Sequence, residues 1–167
     1  MKTLILTRHA KSSWDSQNLP DIERPLNKRG LRDAQFMPTR LLELKIMPGI
    51  ILSSPATRAY TTAKLFAEGF NINEDEIEIN EVIYGRGPKE IMKIINDLDD
   101  KIDCAMIFGH NPDVSNLSNY LCNGDLPSFP TCGVACIDFE ADSWSNVGDE
   151  PGKLRFFENP KKYFKKD

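Results

Sequence analysis

Apolar positions recur along the chain in short unbroken runs separated by longer stretches where they recur every three or four residues. Residues 3–7 (TLILT), 49–54 (GIILSS), 104–109 (CAMIFG) and 133–139 (GVACIDF) are apolar almost throughout and closed by turn residues. That pattern predicts strands covered on both faces. Between the first two, Leu31, Ala34, Leu41, Leu42 and Leu44 fall largely on one side of a helix that Asn27 can cap and that runs to about Lys45. Pro38 lies inside it and is expected to kink or break it. Three further helices are predicted to open on a cap followed by proline: Ser54-Pro55 before ATRAYTTAKLFAEGF, Gly87-Pro88 before KEIMKIINDL, and Asn111-Pro112 before DVSNLSNYLC.

Alternating strands and helices imply an α/β fold, a three-layer α/β/α sandwich around a mostly parallel sheet. GVACIDF and KLRFFEN extend that sheet, at least partly antiparallel, and EADSWSNVGDEPG between them reads as a polar surface turn. The terminal NPKKYFKKD reads as a solvated basic end. With 167 residues, no repeat and no low-complexity tract, a single domain spanning 1–167 is expected.

Charge narrows the function. Lys and Arg number 21 against 25 Asp and Glu, a net charge of −4, so neither nucleic acid nor an anionic membrane surface is an expected partner. The apolar run after Met1-Lys2 meets Arg8 too soon for a signal peptide or a membrane span, which points to a cytoplasmic protein. Cys104, Cys122, Cys132 and Cys136 lack the spacing of a zinc or redox site and read as reduced thiols in or near the core.

In open α/β sheets, ligands bind beyond the carboxyl ends of the strands. The first strand ends in Arg8-His9, the second in Ser53-Ser54 with Arg58 one turn further on, and the third in Gly109-His110. Both histidines of the chain and two arginines therefore meet at one edge, beside two helix N-termini. Planar guanidinium forks and positive dipole ends favour a phosphoryl group and disfavour a divalent metal, so no metal and no cofactor are expected. Ser54 and Asn111 read as helix caps, while Lys11, Ser12 and Ser13 either touch phosphate or only shape the loop.

On these residues the sequence resembles the histidine phosphatase superfamily, whose phosphoglycerate mutase-like branch begins Arg-His-Gly-x-Ser-x-Trp-Asn; here the stretch reads RHAKSSWD, with Ala10 for glycine and Asp15 for asparagine. SSPATRAYTTA is similar to the branch's Ser-Pro-x-x-Arg-Ala-x-x-Thr-Ala block, FGHNP supplies His110, and ERPLNKRG resembles the Arg-Pro-Leu-Thr-x-x-Gly segment of short, SixA-type phosphohistidine phosphatases. The resemblance implies that His9 is the nucleophile, that Arg8, Arg58 and His110 clamp the phosphoryl group, and that Arg24 and Lys28 are additional phosphate contacts. It also implies a general acid after the second block, for which Glu81 in INEVIYG is the best candidate, with Glu76 and Glu78 as competitors. The expected activity is metal-independent hydrolysis through phosphorylated His9, with a phosphorylated protein or a small phosphomonoester as substrate. The short stretch between FAEG and CAMIFG leaves little chain for a lid, which disfavours a mutase; a non-catalytic phosphate-binding or signalling module is the remaining alternative.

Overall fold

The computed structural model describes residues 1–15, 18–124 and 126–164. Six strands, β1 (Lys2–Arg8), β2 (Ile50–Ser53), β3 (Ile77–Ile79), β4 (Cys104–Gly109), β5 (Val134–Phe139) and β6 (Lys153–Glu158), form one sheet in the order β3-β2-β4-β1-β5-β6. The β3/β2, β2/β4 and β4/β1 pairs are parallel, and β5 and β6 join antiparallel. The sheet is therefore mixed and mostly parallel, as the alternating pattern predicts.

Among the described residues four helices cover its two faces: α1 (Lys28–Glu43), α2 (Thr57–Gly69), α3 (Pro88–Asn96) and α4 (Asp113–Cys122). Alternation along β1 sorts the core into two layers. Ile5 packs with Ala34, Met37 and Leu41 of α1 and with Ala63 and Phe66 of α2. Leu4 and Leu6 pack with Ile91 and Ile95 of α3 and with Val114, Leu117 and Leu121 of α4. Each such aliphatic chain taken fully out of water contributes about 1.5–3 kcal/mol before entropy is counted. The two layers lie on opposite faces of the sheet, so the strand ends are fixed from both sides.

Pro38 does not break its helix. It is buried within a continuous α1 and lies against Gly69 of α2, where a Cβ would come 2.5 Å from the proline Cβ. Packing of the ring into that glycine notch offsets the missing intrahelical N–H bond.

Two predicted helix starts are displaced. α2 begins at Thr57 rather than Pro55, and the Ser54 hydroxyl accepts the Ala56 N–H at 3.1 Å. α4 begins at Asp113 after a cis Asn111-Pro112 bond, and the Asn111 side chain binds the Phe129 carbonyl and Ser115 instead of capping the helix. Gly87-Pro88 does open α3 as expected, with Gly87 at φ 92°.

Two segments read as solvated are anchored. Trp144, in the turn between β5 and β6, is fully buried, and its indole N–H donates to the Ile102 carbonyl at 2.7 Å. Near the C-terminus, the rings of Tyr163 and Phe164 lie 5.1 and 5.0 Å from that of Phe36 on α1; residues 165–167 of the basic end lie outside the described residues. All four cysteines are free, with Cys132 and Cys136 buried and burial pushing both thiols up.

Candidate active site

The site forms where β1, β2 and β4 end. His9 follows β1 directly, and backbone bonds lock it on two sides: its N–H donates to the Gly109 carbonyl and its own carbonyl accepts from Cys132, both at 3.0 Å. The next N–H, of Ala10, donates to Thr62 Oγ1 at 3.0 Å, while that hydroxyl donates to the Arg58 carbonyl at 2.7 Å. One threonine on α2 thus ties the loop after His9 to the helix carrying Arg58. Ala10 has no positive φ, so a side chain in place of the family's glycine is accommodated without backbone strain.

His9 Nδ1 lies 2.7 Å from the Ala10 carbonyl. A carbonyl only accepts, so in the neutral ring the proton sits on Nδ1 and the lone pair on Nε2. Burial, opposed in part by the Ala10 carbonyl and reinforced by the charges of His110, Arg58 and Arg8, lowers the His9 pKa to about 3. The second imidazole, His110, has its ring centroid 5.2 Å from that of His9 and its Nε2 2.8 Å from Ser54 Oγ. Burial, with Arg58 next, lowers its pKa to about 4. Both rings are neutral around pH 7.

Arg8 and Arg58 are steered by carbonyls. Arg8 donates to the Phe129 carbonyl at 2.7 Å, and burial depresses its pKa. Arg58 donates to the Asp21 carbonyl at 2.8 Å and to Asp21 Oδ2 at 3.0 Å. Arg8 Nε, Arg58 Nε and His110 Nδ1 are buried without a protein partner. Two guanidinium N–H groups and one imidazole nitrogen without a protein partner, on residues gathered at the same strand ends, suit a site for an anion with several acceptor oxygens.

Asp21 and Tyr84, which the sequence did not single out, belong to the same cluster. The Tyr84 hydroxyl donates to Asp21 Oδ2 at 2.6 Å, and its ring stands edge-on to His110 at 5.4 Å between centroids. The Tyr84 hydroxyl first, then Arg58 and Arg24, hold the Asp21 carboxyl at a pKa of about 2 against opposing desolvation. Arg24 donates to Asp21 Oδ1 at 3.2 Å and to Ser12 Oγ at 2.7 Å, with its guanidinium 3.6 Å from the centroid of the exposed Trp14 ring. Lys28 is exposed at the start of α1.

Glu81, the candidate acid, lies at the surface. It is exposed, in a short turn (Glu81–Ile83) after β3, and among the described residues its carboxylate has no hydrogen bond or ion pair. Glu76 and Glu78 are exposed as well. Among the described residues no group of three or more His, Cys, Asp or Glu side chains is arranged to hold a metal ion, and no helix is long and apolar enough to cross a membrane.

The family profile of the histidine phosphatase superfamily, branch 1, matches residues 4–103, so the chain belongs to that superfamily. An uncharacterized chloroplastic protein of Arabidopsis thaliana is 32% identical over 154 residues, covering 87% of this chain and 70% of the relative. A structure from Agrobacterium tumefaciens assigned as the phosphohistidine phosphatase SixA superposes with a TM-score of 0.81 at 26% identity, over 95% of this chain and 98% of that one. The protein histidine phosphatase SixA complexed with tungstate shares the fold at 20% identity, with a TM-score of 0.78 over 97% and 99% of the two chains.

Proposed function

We propose that the protein is a metal-independent phosphatase that passes a phosphoryl group through His9, with phosphohistidine in a protein as the favoured substrate and small phosphomonoesters as the broader class. The observation that carries this reading is the His9 ring: Nδ1 bound to the Ala10 carbonyl at 2.7 Å, a neutral Nε2 left to attack, and the second imidazole, His110, with its centroid 5.2 Å away.

In the first step His9 Nε2 attacks phosphorus in line, the bond to the leaving group breaks with its electron pair, and the phosphoryl group rests on His9. Water then attacks phosphorus and His9 leaves. Arg8 and Arg58 supply positive charge to the equatorial oxygens, where charge spreads in the transition state. His110 donates from Nδ1 when Ser54 donates to its Nε2, which fixes the neutral ring in the required tautomer. Arg24, buried beside Asp21, adds further positive charge.

Two observations favour phosphohistidine over esters. The exposure of Glu81 leaves an alkoxide leaving group without a buried acid. The stretch between α2 and β4 is taken up by β3, two short turns and α3, and α3 packs on α4, which leaves little chain to enclose a small metabolite. The solved neighbours described as SixA point the same way.

Hydrolysis of a phosphohistidine protein and of an aryl phosphate, measured in chelator with wild type and His9→Ala, tests the proposal. The variant is expected to lose roughly a thousandfold or more in kcat. An unchanged rate would remove His9 from the mechanism.

A further inference from the structure

An ionised carboxylate is out of place at a site built for a dianion, yet Asp21 sits against both Arg58 and Arg24. A carboxylate offers about four acceptor positions on its two oxygens. Oδ2 receives Arg58 and the Tyr84 hydroxyl, and Oδ1 receives Arg24 Nε, so one position on Oδ1 remains. The Asp21 side chain is 51% exposed, so a substrate group can reach it. Three donors hold the carboxylate in a fixed orientation, and they leave it capable of one more hydrogen bond.

We infer that Asp21 is a specificity-determining residue that accepts a hydrogen bond from the distal ring N–H of a phosphohistidine leaving group, and so selects P–N over P–O substrates. The inference rests on the phosphatase reading given above. Its chemistry mirrors the nucleophile. In His9 the distal Nδ1–H is held by the Ala10 carbonyl while Nε2 takes phosphorus; in the substrate the distal N–H is held by the Asp21 carboxylate while the other nitrogen releases it.

The step balances without an external acid. A phosphohistidine ring protonated at its distal nitrogen is a cation. When the P–N bond breaks, its electron pair stays on the nitrogen that carried phosphorus, the distal proton stays where it is, and a neutral imidazole departs while the P–N bond to His9 forms. A neighbouring anion favours the protonated, cationic ring and thus the reactive form of this substrate. The same anion opposes an ester, whose leaving oxygen gains negative charge, and with its pKa held at about 2 it carries no proton to relieve that charge. Asp21 therefore replaces acid catalysis by electrostatic selection.

The test measures kcat/KM for a phosphohistidine peptide and for an aryl phosphate with wild type and Asp21→Asn, which keeps the shape and the acceptor oxygen for Arg58. Losing a hydrogen bond between charged partners should lower the phosphohistidine value about tenfold more than the aryl phosphate value. Equal losses, or a larger loss on the aryl phosphate, would mean that Asp21 only positions Arg58 and would overturn the inference. Wild type supplies a second measurement free of folding effects: N-phosphoimidazole against N-phospho-N′-methylimidazolium, each normalised to its uncatalysed hydrolysis. The compound bearing the N–H should be accelerated about tenfold more, and equal acceleration would overturn the inference. If no His9-dependent hydrolysis of any substrate occurs, the phosphatase reading itself fails; if it occurs without either discrimination, only the role of Asp21 fails.

Discussion

Two neutral imidazoles share the floor of the site, and burial rather than any single partner keeps them neutral. A depressed pKa means that a histidine takes up its proton only at lower pH, so the free lone pair of His9 survives well below the usual range near 6.5. The acid limb of kcat/KM for an aryl phosphate, corrected for the substrate's own ionisation, should therefore stay flat from pH 7 to pH 5. A fall with a midpoint near 6.5 would show an ordinary, solvated histidine. Arg8, His9, Arg58 and His110 were legible in the sequence because each stands at or just beyond the end of an apolar strand run, where the sheet rule places ligands. Asp21 was not, because its meaning comes from partners 37 and 63 residues away, Arg58 and Tyr84. Glu81 was chosen by resemblance, and exposure is a property that a motif cannot report.

At the scale of elements, what positions the loop after His9 is a close approach between α1 and residues 10–13. The Asn27 side chain accepts the Gly30 N–H, the Asn27 N–H donates to the Lys11 carbonyl, and a Cβ on Gly30 would lie 2.1 Å from that same carbonyl oxygen. Gly30→Ala must push the loop or the helix start aside, at a cost of about 1–3 kcal/mol for overpacking. A lower urea midpoint together with reduced kcat is expected, whereas a variant as stable and active as wild type would show that the loop has room to move. The apolar spacing foretold α1, but of the residues it placed on the apolar side only Ala34 and Leu41 are buried, while Leu31 and Leu42 are exposed and Met37 and Pro38 fill the core instead. It could not foretell that Pro38 would find a glycine notch, that Ser54 would reach His110 as well as the Ala56 N–H at the start of α2, or that Asn111 would turn its side chain to tertiary partners instead of to the helix that follows. Trp144 was hidden in a polar context for the same reason: its carbonyl partner, Ile102, lies 42 residues earlier in the chain.

Over the whole molecule, β1 and β4 lie side by side at the centre of the sheet, which brings the two histidine-bearing ends together, and β2 beside β4 adds the arginine of α2. Core layers on both faces hold these ends at fixed separation, so the site is carried by strand and helix ends. The central claim is that His9 covalently carries the phosphoryl group. Rapid mixing with excess substrate, quenching in base, which preserves phosphohistidine, and mapping the modified peptide by mass tests it directly. The account predicts one phosphoryl group on His9, formed within the first turnover and absent from His9→Ala. Steady hydrolysis by the wild type with no phosphorylated His9 at any time would contradict it.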